Sequence, residues 1–106
     1  MTRSWKLTLT STLVKYNLWT LITGDASFTD PTFTTASFVP SKVCELIITG
    51  DSGAVSIMED AKQEVPHTIA AGTPYIKRAL VNAIDLKSFS LNGADGVTVD
   101  VSITAL

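Results

Sequence analysis

The stretch Val97-Thr98-Val99-Asp100-Val101-Ser102-Ile103-Thr104 decides the fold class. Val97, Val99, Val101 and Ile103 alternate with Thr98, Asp100, Ser102 and Thr104 without a break. Successive side chains of a strand point to opposite faces, so this segment predicts a strand with one apolar and one polar face. Directly before it, Asn92-Gly93-Ala94-Asp95-Gly96 supplies turn residues over a length typical of hairpin loops. On the far side of that turn, Leu86, Ser88 and Ser90 oppose Lys87, Phe89 and Leu91, which predicts a second strand and hence a hairpin.

The same pattern extends toward the N-terminus. Tyr75–Val81 reads as a further strand, although Ile76-Lys77-Arg78-Ala79-Leu80 also suits the start of a helix. Ala71-Gly72-Thr73-Pro74 is a turn ahead of it. Val43–Thr49 is almost continuously apolar, as in a strand covered on both faces. Gly50-Asp51-Ser52-Gly53 then predicts a hairpin turn into Ala54–Met58. Tyr16–Thr23 reads as extended, because Leu18, Thr20 and Ile22 alternate with Trp19, Leu21 and Thr23. In the first segment Trp5, Leu7, Leu9 and Leu13 share one face and Lys6, Thr8, Thr10 and Thr12 the other. One stretch, Met58–Glu64, is rich in helix formers, but Pro66 closes it, so it predicts a loop with one helical turn. Seven or eight short strands with almost no helix predict an all-β chain, an antiparallel β-sandwich of jelly-roll type. It forms one domain over residues 1–106, with an N-terminal arm at residues 1–5.

Composition narrows the function classes. Of 106 residues 17% are charged and 45% hydrophobic, with a net charge of −2 and a mean hydropathy of +0.29. Intrinsic disorder needs the opposite combination. A basic surface for nucleic acid is excluded, because eight Lys and Arg stand against ten Asp and Glu. No apolar run is long enough to cross a membrane, and the alternating N-terminus lacks the apolar core of a signal peptide. The polar strand positions are filled by Thr and Ser, 15 and 10 in number, instead of by Lys and Glu. Charge is what discourages sheets from associating edge to edge, so such faces suit a chain that works covered by partners.

Little in the sequence points to chemistry. Cys44 is the single cysteine, which excludes an internal disulfide, and its apolar neighbours place it in a buried strand. His67 is the single histidine, so a nucleophilic cysteine would need these two residues to meet. A zinc site needs three or four ligands, more than one Cys and one His supply. Asp51, Glu59-Asp60 and Asp95 do not follow a calcium-loop spacing. No Gly-rich phosphate loop is present. The expectation is therefore no catalytic residue, no metal and no cofactor.

The aromatic residues carry more. Trp5, Tyr16, Trp19, Phe28, Phe33, Phe38, Tyr75 and Phe89 are weighted to the first 40 positions. Aromatics are enriched in cores and subunit interfaces. A carbohydrate-binding sandwich would instead expose Trp5, Trp19 or Tyr75 in a row.

Several segments taken together have a familiar layout. They are Tyr16-Asn17-Leu18-Trp19, the Thr-rich stretch Thr29–Ser37, and Pro40-Ser41-Lys42-Val43-Cys44-Glu45-Leu46-Ile47-Ile48. Val55-Ser56-Ile57, Gly72-Thr73-Pro74-Tyr75, Ile84–Leu91 and Gly96–Val101 follow in order. In this layout the chain resembles small virion structural proteins of tailed bacteriophages, although it lacks the Asn that often follows their first hairpin strand. The resemblance implies a capsid decoration, or cement, protein. Such a protein is non-enzymatic, assembles as a homotrimer on the virion surface after synthesis in the host cytoplasm, and clamps the major capsid protein or another virion protein. Contacts are expected from Trp5 in the arm and from Phe28, Phe33 and Phe38 in the irregular stretch. The alternative is a carbohydrate-binding or tail-fibre accessory module of the virion. Neither reading needs nucleic acid or membrane as a partner.

Overall fold

In the computed structural model of the chain, residues 2–10, 15–24, 40–59 and 66–106 are described. Their ten strands are β1 (Thr2–Thr8), β2 (Tyr16–Asn17), β3 (Lys42–Val43), β4 (Glu45–Gly50), β5 (Val55–Met58), β6 (His67–Ile69), β7 (Pro74–Arg78), β8 (Ile84–Asp85), β9 (Ser90–Gly93) and β10 (Thr98–Thr104). One helix, α1 (Leu18–Gly24), follows β2, and a 3-10 turn over Leu86–Ser88 follows β8.

The pairing has a simple rule. The first strand pairs with the last, the second with the second-last, and so on inward to β5 with β6, always antiparallel. The chain is thus one long ribbon closed at β5–β6. The ribbon then winds so that β4 joins β10 and β5 joins β9. Two four-stranded sheets result, in the orders β1-β10-β4-β7 and β2-β9-β5-β6, with β3 and β8 as a separate pair. These sheets pack face to face as an antiparallel β-sandwich, the expected architecture.

Alternation explains the core. Trp5 and Leu7 of β1, Leu46 and Ile48 of β4, and Val99, Val101 and Ile103 of β10 point inward from the first sheet. Val55, Ile57, Ile69 and Leu91 meet them from the second. Each such aliphatic contributes roughly 1.5–3 kcal/mol on burial. β10 lies between β1 and β4 and follows the alternation predicted from its sequence at every position. In β4 the positions alternate between buried and half-buried, so this strand is covered on one face, not two.

Further expectations need correction. Gly50–Gly53 and Asn92–Gly96 are not hairpin turns: each carries the chain from one sheet to the other. Loops of four or five residues fit both routes, and local pattern does not separate them. The turn glycines have other work here. A Cβ on Gly50 would lie 2.5 Å from the Gly53 carbonyl oxygen, and Gly96 sits at φ +83°, which L side chains rarely adopt. The crossing turns are also bonded to each other. Asp51 N donates to Thr98 O over 2.9 Å, and the Thr98 hydroxyl donates to Asp51 Oδ2 over 2.8 Å.

The second correction is the segment after Asn17, which is helical instead of extended. Asn17 Oδ1 accepts from Thr20 N at 3.1 Å, an N-cap that turns the chain into α1. Leu18 and Ile22 are then buried on one helical face. Their spacing of four residues fits period 2 and period 3.6 alike. Likewise the 3-10 turn, capped by Asp85 Oδ1 accepting from Lys87 N at 3.0 Å, brings Leu86 and Phe89 both inside, where a strand would have separated them. Lastly, residues 2–5 are no detached arm. They are paired residue for residue with β10, from Thr2 opposite Thr104 to Trp5 opposite Val101. The expected helical turn at Met58–Glu64 falls mostly outside the described residues.

Candidate functional site

The residues singled out from the sequence are scattered. Trp5 is 5% exposed on the inner face of β1 and belongs to the core of the single chain. Phe28, Phe33 and Phe38 lie outside the described residues. Trp19 is half-buried on α1 with the Lys87 ammonium 5.4 Å above its ring. Tyr75 is half-buried on β7, at the opposite edge of the first sheet from Trp5. Trp5, Trp19 and Tyr75 therefore form no exposed row. Cys44 is half-buried at the bend between β3 and β4, not inside a strand, and its thiol donates to the Thr104 carbonyl at 3.2 Å. The His67 ring instead stands 5.6 Å from the Tyr75 ring, so the two residues have different neighbours.

Three surface features were not apparent from local pattern. The first is an aliphatic tip. Leu80 and Val81, in the loop after β7, are 97% and 62% exposed, and Leu106 at the chain end is 82% exposed. Asn82 ties the loop to the chain end: its Oδ1 accepts from Leu106 N at 2.9 Å and its Nδ2 donates to Leu106 O at 3.3 Å. A side-chain amide holding both main-chain groups of Leu106 keeps the chain end beside the loop that carries Leu80 and Val81. Exposed large aliphatics gathered at one place mark an interaction surface more often than isolated ones do.

The second feature is the outer face of the first sheet. Across it run the rows Thr2, Thr104, Glu45, Arg78 and Ser4, Ser102, Ile47, Ile76. Its charges are paired within the chain, two cations against three carboxylates. Lys6 Nζ lies 3.2 Å from Asp51 and 3.9 Å from Asp100, and Arg78 Nε lies 2.7 Å from Glu45. The hydrogen bond to Asp51 raises the Lys6 pKa; the Thr98 hydroxyl and Lys6 together lower that of Asp51. A shallow concavity of about 350 Å³ lies over Ser4, Lys6, Ile47, Thr49, Asp100 and Ser102. What remains is a face of hydroxyls and internally paired charges, with Ile47 and Ile76 side by side on β4 and the edge strand β7.

The third feature closes the side of the sandwich at β7. Tyr75 and Lys77 alternate with the outward Ile76 and so face the second sheet. Glu59, directly after β5, accepts a short hydrogen bond from the Tyr75 hydroxyl and pairs with Lys77 Nζ at 3.0 Å. The Tyr75 hydroxyl is the main cause that lowers the Glu59 pKa, with Lys77 second. Burial, then Glu59, pushes the Tyr75 pKa well up. Lys77 Nζ also sits 5.6 Å from the Phe89 ring centre. The cluster joins the two sheets, and its acid, hydroxyl and amine are occupied by one another.

Among the described residues, no three His, Cys, Asp or Glu side chains are placed to hold a metal ion. No described helix is long and apolar enough to cross a membrane. No protein-family model, curated protein or solved structure matches this chain.

Proposed function

We propose that this chain is a non-enzymatic virion structural protein, a capsid decoration protein that assembles with its own copies and stabilises the shell. The observation that carries the reading is the aliphatic tip of Leu80, Val81 and Leu106, fixed by Asn82 and left uncovered by the single chain. A fixed apolar knob costs little entropy to dock, so it suits a contact repeated many times at low individual affinity. Two further observations agree with it. The outer sheet face has its charges paired internally, so burying it against a partner leaves few unpaired ions. In addition, a ribbon whose strands pair first to last and wind into two sheets supports reading the sandwich as a jelly roll, an architecture shared by viral capsid and lectin domains.

The test is binding to capsids of the encoding phage, viewed by electron microscopy. Density at threefold positions, with a solution mass that is a multiple of three chains, is the expected result. Leu80→Asp should abolish that density and leave the folded spectrum unchanged, because position 80 is almost fully exposed. A chain that ignores intact and expanded capsids alike overturns the reading.

A further inference from the structure

The two sheets have four edges among the described strands, and three of them are blunted. β2 and β6 are two and three residues long. β7 begins with Pro74 and carries an inward charge at Lys77. Short edges, proline and inward charges are the usual means of preventing strand addition. β1 is different. It runs seven residues, Thr2–Thr8, without proline and without a break in its register against β10. Its inward charge, Arg3, stands near one end and leaves Ser4–Thr8 clear. Its outer-face charge, Lys6, is held by Asp51 and Asp100 of its own chain.

The hydrogen-bond pattern shows which groups line the side of β1 that no described strand pairs. Leu9 N donates to Val97 O, whereas Thr98 O accepts from Asp51 N on the β4 side. Val97, Val99, Val101 and Ile103 therefore turn their main-chain groups toward β1, where they meet Leu7, Trp5 and Arg3. The N–H and C=O groups of Thr2, Ser4, Lys6 and Thr8 consequently face away from the sheet.

The geometry points to a second copy of this chain as the occupant of that edge, adding its own β1 antiparallel to the first. One register meets the constraints over the full length of the strand. Inward residues must meet inward residues, which removes every pairing shifted by one. Centring on Lys6 would set two ammonium groups opposite each other. Centring on Ser4 would pair only five residues. Centring on Trp5 pairs all seven: Thr2 with Thr8, Arg3 with Leu7, Ser4 with Lys6, and Trp5 with its own copy. In that register the outward-facing main-chain groups of Ser4 and Lys6 meet, as do those of Thr2 and Thr8, and no like charges are opposed. The product is an eight-stranded sheet with twofold symmetry. This contact is independent of the capsid reading. If both hold, β1 joins two threefold assemblies into six copies.

Two exposed substitutions test it by sign. Ser4→Lys sets a cation opposite Lys6 of the other copy, twice per pair, and should weaken self-association roughly fivefold or more. Ser4→Glu should strengthen it by a similar factor, and high salt should erase the difference. In parallel, amide exchange at Ser4, Lys6 and Thr8 should slow as protein concentration rises, while Leu7 stays protected throughout. A solution mass of three chains that neither substitution changes overturns the inference and leaves the capsid proposal standing, whereas a mass of one chain under all conditions overturns both. A twofold pair that ignores capsids does the reverse.

Discussion

The two edges of the first sheet close the sandwich by different means. At β1 the inward residues are Trp5 and Leu7, both buried. At β7, on the same face of the same sheet, they are Tyr75 and Lys77, held by Glu59 from the second sheet. The β1 side depends on displaced water, a force without direction and nearly indifferent to pH. The β7 side depends on directional bonds to a carboxylate, which weaken when that group takes up a proton and loses its charge facing Lys77. One sheet thus has an edge that is stable and, among the described strands, unpaired, and an opposite edge that is protected but sensitive to conditions.

The largest expected effect is on the apolar side. Leu7 is 1% exposed, so Leu7→Ala should cost about 2–5 kcal/mol in urea unfolding, through lost transfer energy and the cavity left behind. A loss below about 1 kcal/mol would mean that the β1 side carries far less of the stability than its burial indicates.

A smaller effect separates the two edges by pH. The pKa of Glu59 is lowered in the folded chain, so its contribution is complete above the ordinary carboxylate range, near about 4.3. That contribution is lost as pH falls through the lowered folded value. The side chain of Glu59 is 44% exposed, so solvent screening reduces the effect to about 0.5–1 kcal/mol. Glu59→Gln keeps an oxygen for the Tyr75 hydroxyl and removes the charge facing Lys77. The gap in stability between the two proteins should therefore be widest at neutral pH and close in acid. A gap constant with pH would assign the bridge to the hydrogen bond alone. Leu7→Ala should show no such dependence.

How much of this could be read from sequence varies by edge. β10 and the part of β1 from Trp5 onward are legible because sustained alternation of apolar and polar residues has no helical equivalent, whereas Thr2–Ser4 carry no such pattern and read as an arm. The routes through Gly50–Gly53 and Asn92–Gly96 are not legible, since a turn residue signals a bend and not the sheet that receives it. Leu18 and Ile22 were misread because spacing of four satisfies both periods, and only the Asn17 cap decides for helix. The Asn82 clamp on Leu106 joins positions far apart in the chain, so nothing local announced the aliphatic tip. Trp5 was singled out as an aromatic available for contact, but a tryptophan with Leu7 and Leu9 on its face is already committed to the core. The Glu59 bridge was equally hidden, because it depends on β5 and β7 lying in opposite sheets.

The smallest expected effect lies between the two faces of β7 itself. Ile76 is flanked by the inward Tyr75 and Lys77, yet it points out, opposite Ile47 on β4, and is 47% exposed. Ile76→Thr keeps the branched Cβ that suits a strand and removes only partly wetted apolar surface. In dilute protein its cost should stay within about 0.5 kcal/mol. The informative measurement repeats the unfolding at rising protein concentration. A partner that binds only the folded chain adds stability by mass action, and a substitution under that partner loses more as concentration increases. If the cost of Ile76→Thr grows with concentration while that of Leu7→Ala stays fixed, then the outer face of the first sheet is covered by another copy. If both stay fixed, self-association leaves this face free, and the hydroxyl-rich surface around Ile47 and Ile76 stays available to a different partner.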